Sequence, residues 1–494
     1  MKYKFFEIYL NSGNKDHIVL NYEQAAALGL AAGDRVELIN DRSKETLKNV
    51  IVDLNQHRQK KSIGVFSNTI DRLKLKKDDT LIIESMGKPI STIFIKQKLD
   101  GKKLSNDQID EIIKDVVEGN LSPVELAYFV AGGYVHGFDF KETAALTQAI
   151  ATNGNQIKFK PNQIVVDKHC IGGVPGNRTT MVMVPIMTAL GCYMPKTSTR
   201  SITSPAGTAD TMEVLANVMV PYDKIPEILK ATKGFIIWGG TSNLADADDN
   251  LIEVRHSMNL DPIGMVLASV LAKKKAAGST HVLIDLPYGP HAKVTKAEAK
   301  KLKKQFQKIA KLIDLQIHVI ITKGEQVIGN GVGAYLEAQD IVKTLKCEAD
   351  APKDLTQKSL EMAGILLEMA GKADKKQGYA MAKECLESGK AWKQFQKILE
   401  AQGPAPFKIK AAKHTHILKA GKSGTLKSMH IKKISKTALM LGAPKDKTAG
   451  VYMHARLGDK IEKGQPLMTL HYSNKENLDT LLKQKHLSEI FTIN

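Results

Sequence analysis

The stretch 167–213 concentrates residues able to do chemistry. It opens as Asp167-Lys168-His169-Cys170-Ile171-Gly172-Gly173 and crosses an apolar segment of helical period. It then reaches Ser198-Thr199-Arg200-Ser201-Ile202-Thr203-Ser204 and Thr208. Glycines let a backbone approach a ligand or take positive φ, and Lys168 offers a point charge to an oxyanion. Alone, that pattern reads first as a tight strand-to-helix turn with a solvated lysine. The second loop changes the reading, because six hydroxyls surround one guanidinium within 198–208. That composition suits phosphate oxygens. Each loop leads into a segment of helical period, where free N–H groups and the helix dipole favour negative charge. Two anion-binding loops are expected, with Thr208 alternatively only a helix N-cap.

Further candidates follow. Thr241-Ser242-Asn243-Leu244 precedes Asp246, Asp248, Asp249 and Arg255. Three near-adjacent carboxylates suggest a metal, but their spacing is not that of an EF-hand loop and each could cap a helix or face solvent. No metal is assigned. Arg255 could hold a base carbonyl or a phosphate. Asp261-Pro262 at the head of an amphipathic helix reads first as an N-cap with Pro at N1, though a carboxyl there would also sit at the mouth of a sheet. Ser269 and Lys273, at i+4 spacing, can share one helix face. Lys293 is a further cation after Asp285.

The elements that must position these residues define an α/β multidomain chain. Residues 1–95 read as a β-rich, barrel-like N-terminal domain with an internal repeat at an offset of 45: Leu28-Gly-Leu30 and Asp34-Arg-Val36 match Leu73-Lys-Leu75 and Asp79-Thr-Leu81. Each half would expose an apolar face, so the halves must pack on one another. Residues 96–158 read as a helical domain, with Ser105 as an N-cap, Gly119 as a stop and Pro123 at N1. Residues 159–402 form the α/β domain that binds phosphate and substrate. Its first strand is read at 164–166, and later strands at 233–238, 281–286 and 316–322 are separated by helices. That alternation predicts a doubly wound sheet with ligands beyond the strands' carboxyl ends. Residues 403–494 read as a C-terminal α+β domain. The turn Gly458-Asp459 to Gly464 resembles a barrel-sandwich hybrid, but no modifiable lysine sits in a Met-Lys-Met tip, so a structural role is read.

The whole chain narrows the function classes. It has 494 residues, enough for several domains,. No run approaches the length of a membrane span, and the first residues carry no secretory h-region. Four cysteines without a Cys-x-x-Cys pair argue against a zinc site or a disulfide framework and for the cytoplasm,. The net charge of +19 could attract nucleic acid or concentrate a small anion,. Lysines scattered along helices without interleaved aromatics favour a solvated basic surface, so neither nucleic acid nor membrane is expected as a partner.

With these residues assembled, the chain resembles a known family. Asp-Lys-His-x-x-Gly-Gly-Val at 167–174, Arg200 through Gly-Thr208, Thr-Ser-x-Leu-x-x-Ala-Asp at 241–248 with Arg255, and Ser269 with Lys273-Lys274 and Gly278 resemble the thymidine/pyrimidine-nucleoside phosphorylases. The closer likeness is to the long form with an extra N-terminal domain, which includes AMP phosphorylases. The resemblance implies a pentosyltransferase: phosphate attacks an anomeric carbon, base leaves and a pentose 1-phosphate forms. It implies that Lys168, Ser198 and Thr208 hold phosphate groups, with Thr180 where the family often has Ser. Gly173, Thr199, Arg200, Ser201, Ile202, Thr203, Ser204, Thr208, Ser269 and Lys293 match nucleotide-binding positions of the long form. Asp261 matches its proton donor, whose pKa partial burial would raise. The implied partners are a nucleoside or nucleoside monophosphate, phosphate as co-substrate without a cofactor, and a second copy in a homodimer or larger homo-oligomer.

Three departures from the short thymidine enzymes bear on substrate. Cys170 stands where they have Ser, hydroxyl residues replace a glycine-rich second loop, and the Val-Pro-Gly-Asn loop is one residue longer. More hydroxyls suit a second phosphate group, which points to a nucleoside 5′-monophosphate such as AMP, giving ribose 1,5-bisphosphate. Thymidine phosphorolysis is the alternative. Two further readings are a phosphoribosyltransferase-like enzyme on the same fold and a nucleotide or RNA binder without catalysis.

Overall fold

A computed structural model of the chain describes residues 2–11, 16–56, 61–201, 204–242, 244–257 and 260–494. By internal contact the chain forms two compact units, Met1–His136 with Val254–Leu260, and Gly137–Glu253 with Asp261–Asn494.

The first unit begins with β1 (Lys2–Ile8), β2 (His17–Asn21), α1 (Tyr22–Leu28), β3 (Arg35–Asn40), β4 (Thr46–Asn55), β5 (Ser62–Phe66), α2 (Ser67–Leu73) and β6 (Thr80–Ser85). The 45-residue offset relates whole elements: β2, α1 and β3 start at 17, 22 and 35, and β5, α2 and β6 at 62, 67 and 80. The strands close in the order β1-β5-β2-β4-β3-β6. Repeat-related strands pair antiparallel, β2 with β5 and β3 with β6. Alternate residues such as Val36, Leu38, Val50, Val52, Ile63 and Val65 are buried in one core, the period of two that a half-buried strand imposes. Three helices follow, α3 (Ser91–Leu99), α4 (Asn106–Val117) and α5 (Pro123–His136). Ser105 and Gln108 form a reciprocal capping box that starts α4, whose Ile109, Ile112, Ile113 and Val116 form one buried face,.

The second unit opens with α6 (Phe140–Thr152) and then alternates: β7 (Val166–Cys170), α7 (Thr179–Ala189), β8 (Met194–Ser198), α8 (Thr208–Glu213), α9 (Ile225–Thr232), β9 (Gly234–Trp238), α10 (Asp246–Ser257, whose last residues group with the first unit), α11 (Ile263–Ala276), β10 (His281–Tyr288), α12 (Lys296–Leu312) and β11 (Gln316–Lys323). β10 pairs in parallel with both β11 and β7, and β8 pairs in parallel with β9. A bridge between Val165 and Tyr193, and the Val166 N–H donating to the Tyr193 carbonyl at 2.8 Å, join the two groups. The spatial order is β11-β10-β7-β8-β9, with β7 central. The chain builds outward on one side of β7 and then returns to the other. Side chains of β10 show both faces to be covered: Val282, Ile284 and Leu286 pack with α11 and α12, while Leu283 joins the core that contains α7. Burial on both faces is why such strands read as continuous apolar runs.

The strand expected at 164–166 is instead Val166–Cys170, so Lys168 and His169 belong to a strand and not to a loop. β8 also falls within a stretch that reads as loop, which places Lys196, Thr197 and Ser198 on a strand. Charged residues disguise both strands, and their partners lie far away in sequence.

The rest of the second unit comprises β12 (Gly331–Val332), α13 (Ala334–Leu345), α14 (Lys353–Met369), α15 (Gly378–Glu387), α16 (Lys390–Gln402), β13 (His414–Lys419), β14 (Gly424–Met429), α17 (Ile431–Met440), β15 (Gly450–Met453), β16 (Lys460–Ile461), β17 (Pro466–Tyr472), α18 (Lys475–Leu482) and β18 (Phe491–Ile493). Two antiparallel sheets, β12-β15-β17-β13 and β16-β14-β18, are built from these strands. β12 pairs with β15, so the last sheet begins inside the preceding α/β segment. Among the described residues, no helix is long and apolar enough to cross a membrane.

Candidate active site

A cleft lies at the carboxyl ends of β7, β8 and β9, with further walls from the start of α7 and the end of α11. Lys168, Arg178, Lys196, Lys273 and Lys274 line it, together with the hydroxyl residues Thr180, Thr197, Ser198, Thr199, Ser204 and Thr208. α7 presents Thr180 firmly. It is apolar on every side and almost wholly buried, the pattern of a helix enclosed by protein.

Four of these cations, Arg178, Lys196, Lys273 and Lys274, have a carboxylate behind them. Asp167 is fully buried on β7. It accepts from Lys274 Nζ at 2.5 Å and from the Lys168 backbone N–H at 2.6 Å, and Lys196 Nζ lies 3.6 Å away. Lys168 Nζ donates to Thr179 Oγ1 at 2.8 Å. Arg178 pairs with Glu337 at 2.6 Å. Lys273 meets Asp248 Oδ2 at 2.6 Å, and the Ser269 hydroxyl donates to the same oxygen at 2.7 Å. Ser269 and Lys273 therefore do share a helix face, and both grip Asp248. Asp285 accepts from Thr322 Oγ1 at 2.7 Å, and Lys358 Nζ lies 3.1 Å from it.

The electrostatics follow from this layout. Burial pushes the Lys168 ammonium below the ordinary lysine value, opposed by Cys170 and Asp285. Burial also lowers Lys196, with Asp167 opposing. His169 is driven well below its ordinary value, by burial first and then by Lys274 and Lys196, so it enters the cleft as a neutral imidazole. Burial alone would raise Asp285, but Lys168 and Lys358 hold it below its ordinary value. Burial raises the Cys170 thiol, the opposite of what an attacking thiolate needs. The cleft can thus hold an anion and hydrogen-bond a polar ligand, while nothing among its described residues is tuned for thiolate attack.

The glycine loop after β7 has the geometry of a close approach. Gly173 sits at φ +89°, and a Cβ there would lie 2.6 Å from the Lys293 backbone nitrogen. Gly176 sits at φ +73°, where a Cβ would meet the Ile328 carbonyl oxygen at 2.1 Å. Only glycine fits either position. Lys293 thus packs against the Gly173 loop, although neither residue is among the cleft walls.

The second loop is organised differently from its sequence reading. Arg200 does not line the cleft. Its guanidinium makes two bonds to Glu213, at 2.8 and 2.5 Å, and lies 5.0 Å from the centre of the Trp238 ring. Ser201 directs its hydroxyl to Ser204, and its N–H donates to Asp210 at 2.7 Å. Thr208 is the first residue of α8, after an N-cap at Gly207, so Thr208 is not the cap. Ile202 and Thr203 lie outside the described residues.

Asp261 corrects a structural expectation. The N-cap of α11 is Pro262 and the helix starts at Ile263, so Asp261 does not cap it and Pro is not at N1. The φ of proline suits that preceding position too, which sequence alone does not separate. Asp261 is exposed where partial burial was expected, and it is not among the cleft walls. Arg255 is buried and belongs to the first unit. Of the three near-adjacent acids, Asp248 is taken up by Lys273 and Ser269, and Asp249 lines the cleft.

Lys196, Arg178, Asn177 and Lys274 line the cleft and are not among the site residues expected from the sequence. Lys274 is visible there as the second half of a Lys-Lys pair. Arg178 follows the Pro-Gly-Asn turn directly. Lys196 leaves no signal beyond lying two residues before Ser198.

Three family descriptions match the chain in series: "Glycosyl transferase family, helical bundle domain" over residues 92–154, "Glycosyl transferase family, a/b domain" over 162–392, and "Pyrimidine nucleoside phosphorylase C-terminal domain" over 425–490. The protein named "AMP phosphorylase" from Methanospirillum hungatei JF-1 is 36% identical over 472 residues, covering 94% of this chain and 91% of that one. A protein of Legionella pneumophila (strain Corby) named "Putative thymidine phosphorylase" is 41% identical over 418 residues, covering 84% and 80%. Among solved structures, anthranilate phosphoribosyltransferase from Thermus thermophilus aligns with a TM-score of 0.53 at 17% identity, over 62% of this chain and 98% of that one. At that identity the likeness is one of fold.

Proposed function

Because the chain belongs to the thymidine/pyrimidine-nucleoside phosphorylase family, in its long form with an extra N-terminal domain, and is a pentosyltransferase, we propose that its substrate is a nucleoside 5′-monophosphate of the AMP kind. Inorganic phosphate attacks the anomeric carbon, and the bond to the base nitrogen breaks with its electron pair going to the base. The base takes a proton, and ribose 1,5-bisphosphate forms. The transition state carries positive charge on the sugar and growing negative charge on the base. Catalysis therefore needs a fixed anion cradle and a donor at the base.

One observation carries the choice of a nucleotide. The cleft wall carries Thr199 and Ser204 beside Lys168, Thr180, Ser198 and Thr208, so it offers hydroxyls beyond those that one phosphate takes up. In this reading Lys168, Thr180, Ser198 and Thr208 hold the attacking phosphate, and the 199–204 loop holds the substrate's own phosphate through hydroxyl and N–H groups. Asp261, exposed and outside the cleft walls, is the proton donor on the family resemblance alone, and no cofactor takes part. Supporting the nucleoside reading instead is Arg200, whose guanidinium is occupied by Glu213. Without it, the described residues of the loop offer a second phosphate no cation of their own.

The test is direct. The protein is incubated with phosphate and, separately, with AMP, CMP, UMP, thymidine and uridine, and free base is measured. Base release from a monophosphate is expected. Release from thymidine alone would replace the nucleotide with a nucleoside, and release from none would remove the phosphorolysis reading.

A further inference from the structure

The acid pair on α8 does more than hold Arg200. Asp210 Oδ2 accepts two backbone N–H groups from opposite ends of the loop between β8 and α8, Ser201 at 2.7 Å and Gly207 at 2.9 Å. Glu213 binds Arg200 from the same loop. One helical turn of α8 thus fixes three points along 199–207. Two carboxylates three residues apart on a short helix repel one another, and both are almost fully buried. Two cations meet their repulsion: Arg200, which besides holding Glu213 lies 3.6 Å from Asp210 Oδ1, and a second from far along the chain. Lys447, in the segment between α17 and β15, places Nζ 2.7 Å from Asp210 Oδ1 and 3.1 Å from Glu213 Oε2.

We propose that Lys447 is a positioning residue for the substrate loop, acting through Asp210 and Glu213. It gives the C-terminal segment a direct part in substrate binding without contact with substrate. The physical reason is the asymmetry of buried ion networks: removing one member leaves the remaining charge uncompensated, and the structure relaxes around it. Without Lys447, the carboxylates turn toward Arg200 or toward solvent. The two amides held by Asp210 are then released, and the loop samples other conformations. Lys447→Arg keeps a cation able to reach both oxygens, whereas Lys447→Gln does not. The effect on turnover rests on reading this loop as the seat of the nucleotide's phosphate.

Hydrogen exchange of the amides in 199–208, measured on the full chain without substrate, tests the brace independently of that reading. Exchange at Ser201 and Gly207 is expected to quicken at least ~10-fold in Lys447→Gln and to stay near wild type in Lys447→Arg. Steady-state kinetics then test the consequence: KM for the monophosphate rises ~10-fold in Lys447→Gln while KM for inorganic phosphate holds, and Lys447→Arg restores the former. A general loss of folded protein would instead lower apparent kcat and leave both KM values unmoved. Should Lys447→Gln not fold, Lys447→Gln combined with Glu213→Gln reads the same brace, because removing the Glu213 charge lessens the need for Lys447: the pair is expected to fold where the single variant does not, and a pair that fails as the single variant does overturns the proposal. Unchanged exchange in Lys447→Gln overturns the proposal whatever the substrate. Quickened exchange in a protein that uses no monophosphate overturns the substrate reading and leaves the brace standing.

Discussion

Asp167→Asn isolates the charge that holds the cleft's lysines together. The amide keeps an oxygen for the Lys168 N–H, now accepted at 2.6 Å, so backbone geometry on β7 is preserved. What disappears is the countercharge to Lys274 at 2.5 Å and to Lys196 at 3.6 Å, all three side chains being buried. With an effective dielectric near 20, the Lys274 pair alone represents about 7 kcal/mol of gross attraction before desolvation is counted. Breaking a buried pair by removing one partner costs about 3–5 kcal/mol net, and Asp167→Asn is expected within that range, read as a lowered thermal midpoint. Phosphate supplies the test of cause. At a hundredfold excess over Kd, a ligand stabilises the wild type by about 2.7 kcal/mol. The variant should gain more, because phosphate then neutralises lysines that have lost their carboxylate. Thermal unfolding of both proteins across a phosphate series measures this. A variant that melts with the wild type, or that phosphate stabilises no more than it does the wild type, refutes the assignment of Asp167 as the shared counterion.

Two other outcomes separate roles at single residues. Asp261→Asn should lower kcat for purine release about 100-fold or more if the carboxyl is the donor, with little change in thermal midpoint, because Pro262 and not Asp261 is the cap of α11; equal turnover would remove the donor role. Burial raises Asp340 to about 6, although the Gly331 and Asn330 N–H groups oppose the shift. A carboxyl whose folded pKa exceeds its unfolded value stabilises most below the unfolded value of 3.8 and loses that contribution as pH rises through about 6,. Asp340→Asn should therefore gain on the wild type by up to about 3 kcal/mol above pH 6 and not below pH 4, as read from thermal midpoints across that range.

Much of the fold is legible where local chemistry and tertiary demand agree. Ser105, and the apolar stripe of α4, announce a helix before any packing is known. The 45-residue offset shows in the sequence because both copies of each strand need the same alternation. β10 reads as a strand because burial on both faces demands apolar residues throughout. Legibility fails where charge is buried. Asp167-Lys168-His169 looks like a polar loop, yet it is the centre of the sheet, since Lys274 and Lys196 neutralise Asp167 from 107 and 29 residues away. Met194-Pro-Lys-Thr-Ser198 hides a strand for the same reason, with a proline that further argues against one. Arg200 is legible as a cation but not as the partner of Glu213, because a side chain's direction is set by tertiary structure. The cleft's hydroxyls are found more easily than its lysines. A cluster of Ser and Thr stands out in a sequence, while one lysine among many in a basic chain does not.

The carboxylates behind the lysines bear on turnover. A pocket of bare ammonium groups would grip any polyanion and surrender it slowly, so that departure of the sugar phosphate would govern the catalytic cycle. Asp167, Asp248 and Glu337 set an internal competitor beside four of the five cations that line the cleft. In the proposed function these cations exchange one anion for another as the ligand enters and leaves. Affinity is thereby moderated in favour of exit, and the cleft keeps its shape between one cycle and the next.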